Sequence, residues 1–473
     1  MIMNIRDDTQ KECVDDFLSS SNHRATFCLC TGFGKSKIAI DIIDNLSKDK
    51  WILVTPTKLL RDENWLKEFT KWNKLNLYNN MDRICYNSLS KLSKYDKCNL
   101  ILDEIHNLSE ERYKLLRQFI DTGVVNKIVG LSATVNDDKK DIVNDIAPII
   151  KTITIDEAIE LGILPPYKIY IWQTYLSEIK DVKAGNKQKR FLTSRKEQYK
   201  YIDNQYNKTL SIIFNIINQF KVFGIDVKPF TKSDNIFKKI RFKKNSKLFQ
   251  LYRSYAKQNE RLYYYMRERT NMIYNSPEKQ RLAKFIANNI IKDKRHIVFS
   301  GSIKQAKEMN KNNIHSKNED NINSKVIEDF NNHIINSFSC VDAVNEGHNL
   351  NDIESCIIIQ CKSKERDLIQ RIGRTIRIKN GIAEIHIVLL DLTKDSKWLS
   401  DAIKSLNKDN IKIVEMNKKD EVPESTQVKR TCNNCGKTHD EVILEKICVQ
   451  TDDGNIIDLD ICKLCLLEYE LLD

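Results

Sequence analysis

The octapeptide Asn99-Leu-Ile-Leu-Asp-Glu-Ile-His106 restricts what this chain can fold into more than any other stretch. Leu100, Ile101 and Leu102 form an unbroken apolar run. That is the pattern of a strand covered on both faces, and such strands belong to parallel α/β sheets. Two carboxylates, Asp103 and Glu104, follow at the end of the run. Open α/β sheets gather their chemistry just outside the carboxyl ends of their strands. Asp103 is therefore a candidate metal-holding carboxylate, and Glu104 a candidate for orienting or deprotonating a water.

A phosphate cradle is expected upstream. Thr26 to Cys30 reads as a short apolar strand, followed by Thr31-Gly-Phe-Gly-Lys-Ser36 and a helix from about Lys37 to Leu46. Strand, glycine loop, Lys-Ser and helix is the context in which backbone N–H groups close around phosphate oxygens. Gly32 and Gly34, with Thr31 and Phe33 between and beside them, would form the loop, and the helix N-terminus adds its dipole. Lys35 would neutralise the β and γ phosphates, while Ser36 and Asp103 would hold Mg²⁺. Leu29 stands where the full pattern has its first glycine. A plain glycine turn before a helix is the bland alternative for this stretch taken alone. Further strands expected at Trp51–Thr55 and Lys127–Leu131, with a strand and turn over Ile84–Leu89, alternate with helices, which predicts a doubly wound sheet.

At 473 residues the chain exceeds a single core, so two or three domains are expected. No apolar run approaches the roughly 18 residues of a membrane span, and residues 1–10 lack a signal-peptide pattern. The chain thus reads as a cytoplasmic protein without membrane contact. Eight of the 13 cysteines lie between Cys13 and Cys361 in or beside apolar runs, and five lie beyond residue 431. An odd count divided this way argues against a secreted disulfide framework. Abundant Asn, Ile and Lys suggest an AT-rich coding genome, pointing to a viral or phage origin and a host-intracellular location.

The net charge of +12 is unevenly placed. Residues 167–275 carry 24 Lys and Arg against 8 Asp and Glu, while 431–473 carry 3 against 10. The basic segment also holds 21 of the 39 aromatic residues, interleaved with the cations in Lys238-Lys-Ile-Arg-Phe-Lys-Lys244 and Arg261-Leu-Tyr-Tyr-Tyr-Met-Arg-Glu-Arg269. Long helices are expected over 195–223 and 247–275, and further on a strand over Ile334–Phe338. Cations that neutralise phosphate beside rings that stack on bases suit a nucleic-acid surface. An aromatic core with a solvated basic face is the alternative.

Taken in order, Thr31–Ser36, Asp103-Glu-Ile-His106 and Ser132-Ala-Thr134 resemble motifs I, II and III of superfamily 2 helicases. Thr55-Pro-Thr57 resembles motif Ia, Ser300-Gly-Ser302 motif IV, and Asp342–Leu350 motif V. Gln370-Arg-Ile-Gly-Arg-Thr-Ile-Arg377 matches motif VI, the most specific string in the chain. Asp156–Leu164 resembles the stretch that leaves the first motor domain in the DEAH-like branch shared by type III restriction subunits and phage repair helicases. The resemblance implies two RecA-like parallel-sheet domains with ATP between them. It implies that Gln10 reads adenine, that Gln370 lies in the nucleotide site, and that Arg374 and Arg377 reach the γ-phosphate from the second domain. Always-charged, planar guanidinium suits the spread charge of phosphoryl transfer.

The expected organisation is a first RecA-like domain over 1–166, a basic, aromatic, mainly helical insert over 167–276, a second RecA-like domain over 277–407, a linker over 408–430 and a small module over 431–473. In that module Cys432-x-x-Cys435 and Cys462-x-x-Cys465 suit tetrahedral Zn²⁺. Asp452-Asp-Gly-Asn455 between them signals a hairpin turn. A module of this size needs such a staple. Its acidic charge disfavours phosphate and favours contact with a protein partner or docking on the motor. Cys448 and His439 are read as packing or surface residues. The functional expectation is an ATP-dependent DNA helicase or translocase in replication, recombination or repair, acting on single-stranded, forked or branched DNA, with RNA also open. The rivals are the motor subunit of a restriction complex and an ATP-dependent clamp that does not move.

Overall fold

The computed structural model describes residues 5–185, 190–230, 246–341, 350, 352–361, 368, 371–373 and 381–414, together with the backbone of 444–450 and 456–462. Two units divide the chain. One comprises Met1–Trp172, Ile286–Ile387 and Trp398–Asp473, and the other Gln173–Phe285 with Val388–Lys397.

The first unit begins with α1 (Ile5–Ser19), which turns Cys13, Val14 and Phe17 inward. Strand β1 (Arg24–Leu29) then leads through the glycine loop into α2 (Lys35–Asn45). Strand β2 (Trp51–Thr55) is followed by a short π-helical turn and α3 (Trp65–Lys71). Strands β3 (Asp82–Cys85), β4 (Cys98–Asp103), β5 (Val125–Ser132) and β6 (Ile149–Ile153) complete a six-stranded sheet ordered β3-β2-β4-β5-β1-β6. Every pairing in it is parallel. The central strands are buried along almost their whole length, as their uninterrupted apolar runs require. This order sets β4, β5 and β1 side by side, so the loops after these three strands leave from one edge of the sheet.

The chain continues with β7 (Tyr167–Thr174), β8 (Val182–Gly185) and β9 (Arg190–Thr193), the last two forming an antiparallel hairpin. Beyond them come β10 (His296–Phe299), β11 (Asn313–Ile314), β12 (Ser337–Cys340), β13 (Ser355–Ile358), β14 (Ala383–Leu390) and β15 (Ile411–Val414). The second sheet runs β11-β12-β10-β13-β14-β7-β15. The two sheets make this an α/β protein with two RecA-like parallel-sheet domains.

Three segments differ from the sequence expectation. Tyr167–Thr174 belongs to the second sheet, although it opens the segment expected as a helical insert. Tyr167, Ile169 and Ile171 are buried and alternate with Lys168 and Tyr170, a period of two that charge counting hides. Ile411–Val414, expected as linker, pairs in parallel with β7. The strand expected from Ile334 begins instead at Ser337. Ile334 is 69% exposed, and His333 before it takes a φ of 60°, so the apolar pair Ile334-Ile335 belongs to a turn.

The second unit holds two 28-residue helices, Arg195–Val222 and Lys247–Tyr274, as expected for this segment. Asp203 meets Arg269 at 2.7 Å and Phe220 meets Tyr255 edge-on, so the helices pack antiparallel. Ile213, Ile216, Ile217, Phe220, Tyr255 and Leu262 form their core. Ser194 caps the first helix in a reciprocal box with Glu197. Lys279 and Asp395, both fully buried, form an ion pair at 2.6 Å. Asp395 also accepts from the Leu390 N–H at 2.9 Å.

The backbone of β16 (Leu444–Gln450) and β17 (Ile456–Cys462) forms an antiparallel pair on either side of the expected turn. Among the described residues no helix is long and apolar enough to cross a membrane.

Candidate functional site

Strands β1, β4 and β5 present the three motif-bearing loops on neighbouring strands. After β1 the chain turns through Gly32 (φ 91°) and Gly34 (φ 98°), a left-handed geometry that glycine adopts without strain. Lys35 opens α2, and its Nζ donates to the carbonyls of Leu29 at 2.9 Å and Cys30 at 3.4 Å. The ammonium is thus folded over the loop by the loop's own backbone. Phe33 is fully buried and anchors the loop from below, and Ser36 lies in the first turn of α2. Burial pushes the thiols of Cys28 and Cys30 up to about 11, so both stay protonated as small packing groups.

Helix α1 closes one side of the loop. Gln10 is nearly buried and donates its side-chain amide to the Phe33 carbonyl at 2.8 Å. A Cβ on Gly34 would lie 2.3 Å from that amide nitrogen, the movable end of the Gln10 side chain, so it is the φ of 98° that calls for glycine here. Arg6 of the same helix donates to the Ile163 carbonyl at 2.6 Å. The Asp156–Leu164 stretch is thereby tied to α1, and Leu164 packs at 3.4 Å from the position a Gly32 Cβ would take.

Asp103 ends β4. Its carboxylate accepts the indole N–H of Trp65 at 2.8 Å, and its carbonyl accepts the Tyr86 hydroxyl at 3.0 Å. Burial and the carboxylates of Asp103 and Glu104 hold the Tyr86 phenol well above its ordinary range, so it remains a donor. Glu104 takes a positive φ of 52°, a turn that ends the strand and redirects its side chain. His106 Nδ1 lies 3.3 Å from Glu104 Oε2 and 2.8 Å from Ser132 Oγ. Ser132 Oγ donates onward to the Thr134 carbonyl at 2.6 Å. On the far side of the ring Asn107 contacts His106 Nε2 at 3.2 Å. An amide N–H donated to Nε2 leaves the imidazole proton on Nδ1, where it can be given to Ser132 or Glu104. A continuous polar chain therefore runs from the acid at the end of β4 to the Ser-Ala-Thr loop at the end of β5.

On the second sheet, Ser302 caps the helix Ile303–Met309 through the Gln305 N–H, and Gln305 Oε1 accepts from Gly301 N at 2.7 Å. Ser300-Gly-Ser302 is thus a helix-start device in this chain. Arg371 is buried, donating to the Gln360 carbonyl at 2.7 Å. Gly373 lies against Thr31 of the glycine loop. Gln370, Arg374, Arg377 and residues 342–349 lie outside the described residues, as do Cys432, Cys435 and Cys465; Cys462 is described as strand backbone only.

The basic segment divides between surface and core. Arg253, Lys257, Arg261 and Tyr264 are exposed and recur at spacings of four, four and three, which places them along one face of their helix. Arg269 is nearly buried against Asp203 and stacks over the Tyr206 ring at 3.9 Å, so it belongs to the packing. Lys238–Lys244 lies outside the described residues.

Sequence reasoning missed Trp65, Tyr86, Asn107 and Arg6. Each acts across the fold on a residue 17 or more positions away, except Asn107, which adjoins its partner. No local pattern signals such contacts.

Residues 3–87 match the family model described as type III restriction enzyme, res subunit, and residues 277–379 match the helicase conserved C-terminal domain. No curated protein sequence matches significantly. Among solved structures, the ATP-dependent type ISP restriction-modification enzyme LlaBIII bound to DNA is similar at a TM-score of 0.51 and 11% identity, covering 89% of this chain. The chain spans 32% of that protein's length, and the likeness is one of fold. The helicase domain of Hef from Pyrococcus furiosus is similar at a TM-score of 0.48 and 13% identity, over 84% of this chain and 96% of that one. The two family matches fall on the two sheets, and together they support an ATP-dependent superfamily 2 helicase or translocase.

Proposed function

We propose that the protein is an ATP-driven DNA motor of replication, recombination or repair, hydrolysing ATP at the edge formed by β1, β5 and β4. The observation that carries this reading is the Glu104–His106–Ser132–Thr134 chain, because it links a strand-end acid to the neighbouring loop on a sheet that also carries a phosphate cradle. The cradle fits a triphosphate. Gly32 and Gly34 hold the loop in left-handed turns, and among the described residues the Lys35 ammonium donates to carbonyls that a phosphate can displace.

In this reading Thr31, Gly32 and Gly34 offer backbone N–H groups to the phosphates, while Phe33, whose N–H donates to the Cys30 carbonyl at 3.3 Å, shapes the loop. Lys35 neutralises the β and γ oxygens, and Gln10 lies at the loop for the adenine. Ser36 and Asp103 hold Mg²⁺, which when bound screens the charge of the triphosphate. Glu104 orients the attacking water and takes its proton, with His106 steadying the carboxylate. Gln370, Arg374 and Arg377 complete the site from the second domain, the arginines meeting the charge that develops on the γ-phosphoryl group. The exposed row Arg253, Lys257, Arg261 and Tyr264 is the proposed nucleic-acid track, its three cations neutralising phosphates and the exposed face of the Tyr264 ring, which meets Tyr265 edge-on, stacking on a base. Four thiolates from Cys432, Cys435, Cys462 and Cys465 are proposed to hold Zn²⁺ in an acidic module that meets a protein partner.

A restriction-type motor is the second reading, favoured by the res-subunit match over residues 3–87. The deciding experiment measures ATP hydrolysis and strand displacement on single-stranded, duplex, forked and four-way DNA and on RNA. Hydrolysis that rises with strand length and is accompanied by displacement supports the DNA motor. Stimulation independent of length indicates a stationary clamp. Duplex-stimulated hydrolysis without displacement favours the restriction motor.

A further inference from the structure

We propose that Trp65 is the positioning residue of Asp103 and sets the affinity of the site for its divalent cation. The inference rests on the reading of Asp103 as a Mg²⁺ carboxylate. Trp65 opens α3 and is 3% exposed. Its ring packs on Phe69, 5.9 Å between centroids, and Phe69 on Tyr78 at 5.5 Å. Tyr78 is tied in turn to the Arg61 carbonyl at 2.9 Å. The indole therefore has little freedom, and its N–H meets Asp103 Oδ2 at 2.8 Å. From behind, the Tyr86 hydroxyl holds the Asp103 carbonyl.

A carboxylate on a single Cβ–Cγ bond rotates readily, and a rotating carboxylate is a poor ligand. An indole N–H is a donor with no acceptor capacity. It can fix the plane of the carboxylate through a charge-assisted bond without competing for the cation. Partners of this kind behind a metal ligand change metal affinity by about 10–100-fold. The helix that carries Trp65 follows Thr55-Pro-Thr57 through the π-helical turn Leu60–Asn64, so a shift of that loop would reach Asp103 through one side chain.

Two measurements test the role. The chain has five tryptophans. In protein labelled with ¹⁵N at the indole, adding Mn²⁺ with a non-hydrolysable ATP analogue is expected to bleach the Trp65 N–H signal first, and this experiment needs no variant to fold beyond signal assignment. In Mg²⁺ titrations of a fluorescent nucleotide, Trp65→Phe is expected to raise half-saturating Mg²⁺ about 10-fold. Nucleotide binding in chelator should stay unchanged. Trp65→His, which keeps a ring N–H, should recover part of the loss, and Trp65→Phe should add nothing in an Asp103→Asn background. An unbleached indole set, or a folded Trp65→Phe protein that titrates like wild type, overturns the positioning role. A wild-type chain that binds no nucleotide at all overturns the site reading on which the role stands.

Discussion

Gly373 and Thr31 meet so closely that a Cβ on the glycine would lie 2.7 Å from the threonine Cβ and 3.1 Å from its Oγ1. Thr31 begins the loop proposed to hold the phosphates, and Gly373 lies in the string that resembles motif VI. Gly373→Ala should force the two backbones apart. Since about 1 Å of misplacement can cost on the order of 100-fold in rate, ATP turnover should fall at least about 10-fold while the melting temperature stays near wild type. Unchanged turnover would show that this contact does not assemble the site.

Glu104→Gln should separate binding from chemistry. The amide keeps the shape of the side chain and removes the base, so ATP should bind within about threefold of wild type while hydrolysis falls by roughly 100-fold or more. Equilibrium binding of a fluorescent nucleotide and steady-state phosphate release measure the two separately. Wild-type turnover in this variant would remove Glu104 from the chemistry.

Replacing Arg253, Lys257 and Arg261 together by Gln tests the exposed row on the Lys247–Tyr274 helix. Each lost phosphate contact on single-stranded nucleic acid should reduce the slope of log K against log salt by about 0.7. The triple variant should therefore lose up to about 2 in slope, with basal ATPase intact. An unchanged slope returns this row to a solvated face of the helical pair.

The buried Lys279–Asp395 pair should resist single replacement. Lys279→Met leaves a buried carboxylate without its counter-charge, a loss of about 3–5 kcal/mol that urea unfolding can measure. The double variant Lys279→Met with Asp395→Leu should be less destabilised than either single one. Equal or greater loss in the double variant would show that packing, rather than charge, dominates there.

For the cysteine-rich module, metal analysis of the purified chain should find one zinc, and Cys432→Ser should release it. A wild-type chain without zinc refutes the site.

The first sheet was readable from sequence because its strands are short apolar runs separated by helices, and the run at Leu100–Leu102 ends in the carboxylates Asp103 and Glu104. The glycine loop between β1 and α2 was readable for a related reason, since its glycines and the Lys-Ser pair fall within six consecutive residues. The second sheet was harder to read. Tyr167–Thr174 carries a clear alternation, yet it opens a segment whose charge and aromatic content draw the eye to helices. Ile411–Val414 is too short to stand out from a polar stretch, and only pairing with β7 makes it a strand. Within the site, Asp103 and Glu104 were evident as candidates, whereas Trp65 and Tyr86 were not. Their contribution depends on where β2, β3 and β4 lie in the sheet, and no spacing along the chain records that. In the string Arg261–Arg269, uniform in composition, burial divides Arg269 from Arg261, and composition holds no information on that division.

Strand β7 lies between β14 and β15, whose residues follow it by more than two hundred positions. On the ribosome, the first sheet has all its strands once Ile153 emerges, but β7 must wait for both of its neighbours. At roughly 5–20 residues per second that wait lasts on the order of ten to fifty seconds. Throughout it a largely apolar strand exposes two unpaired edges, the condition that invites pairing with another chain. The hazard to this protein thus falls during its translation more than after it, and a truncation before Ile411 would leave one of those edges open for good.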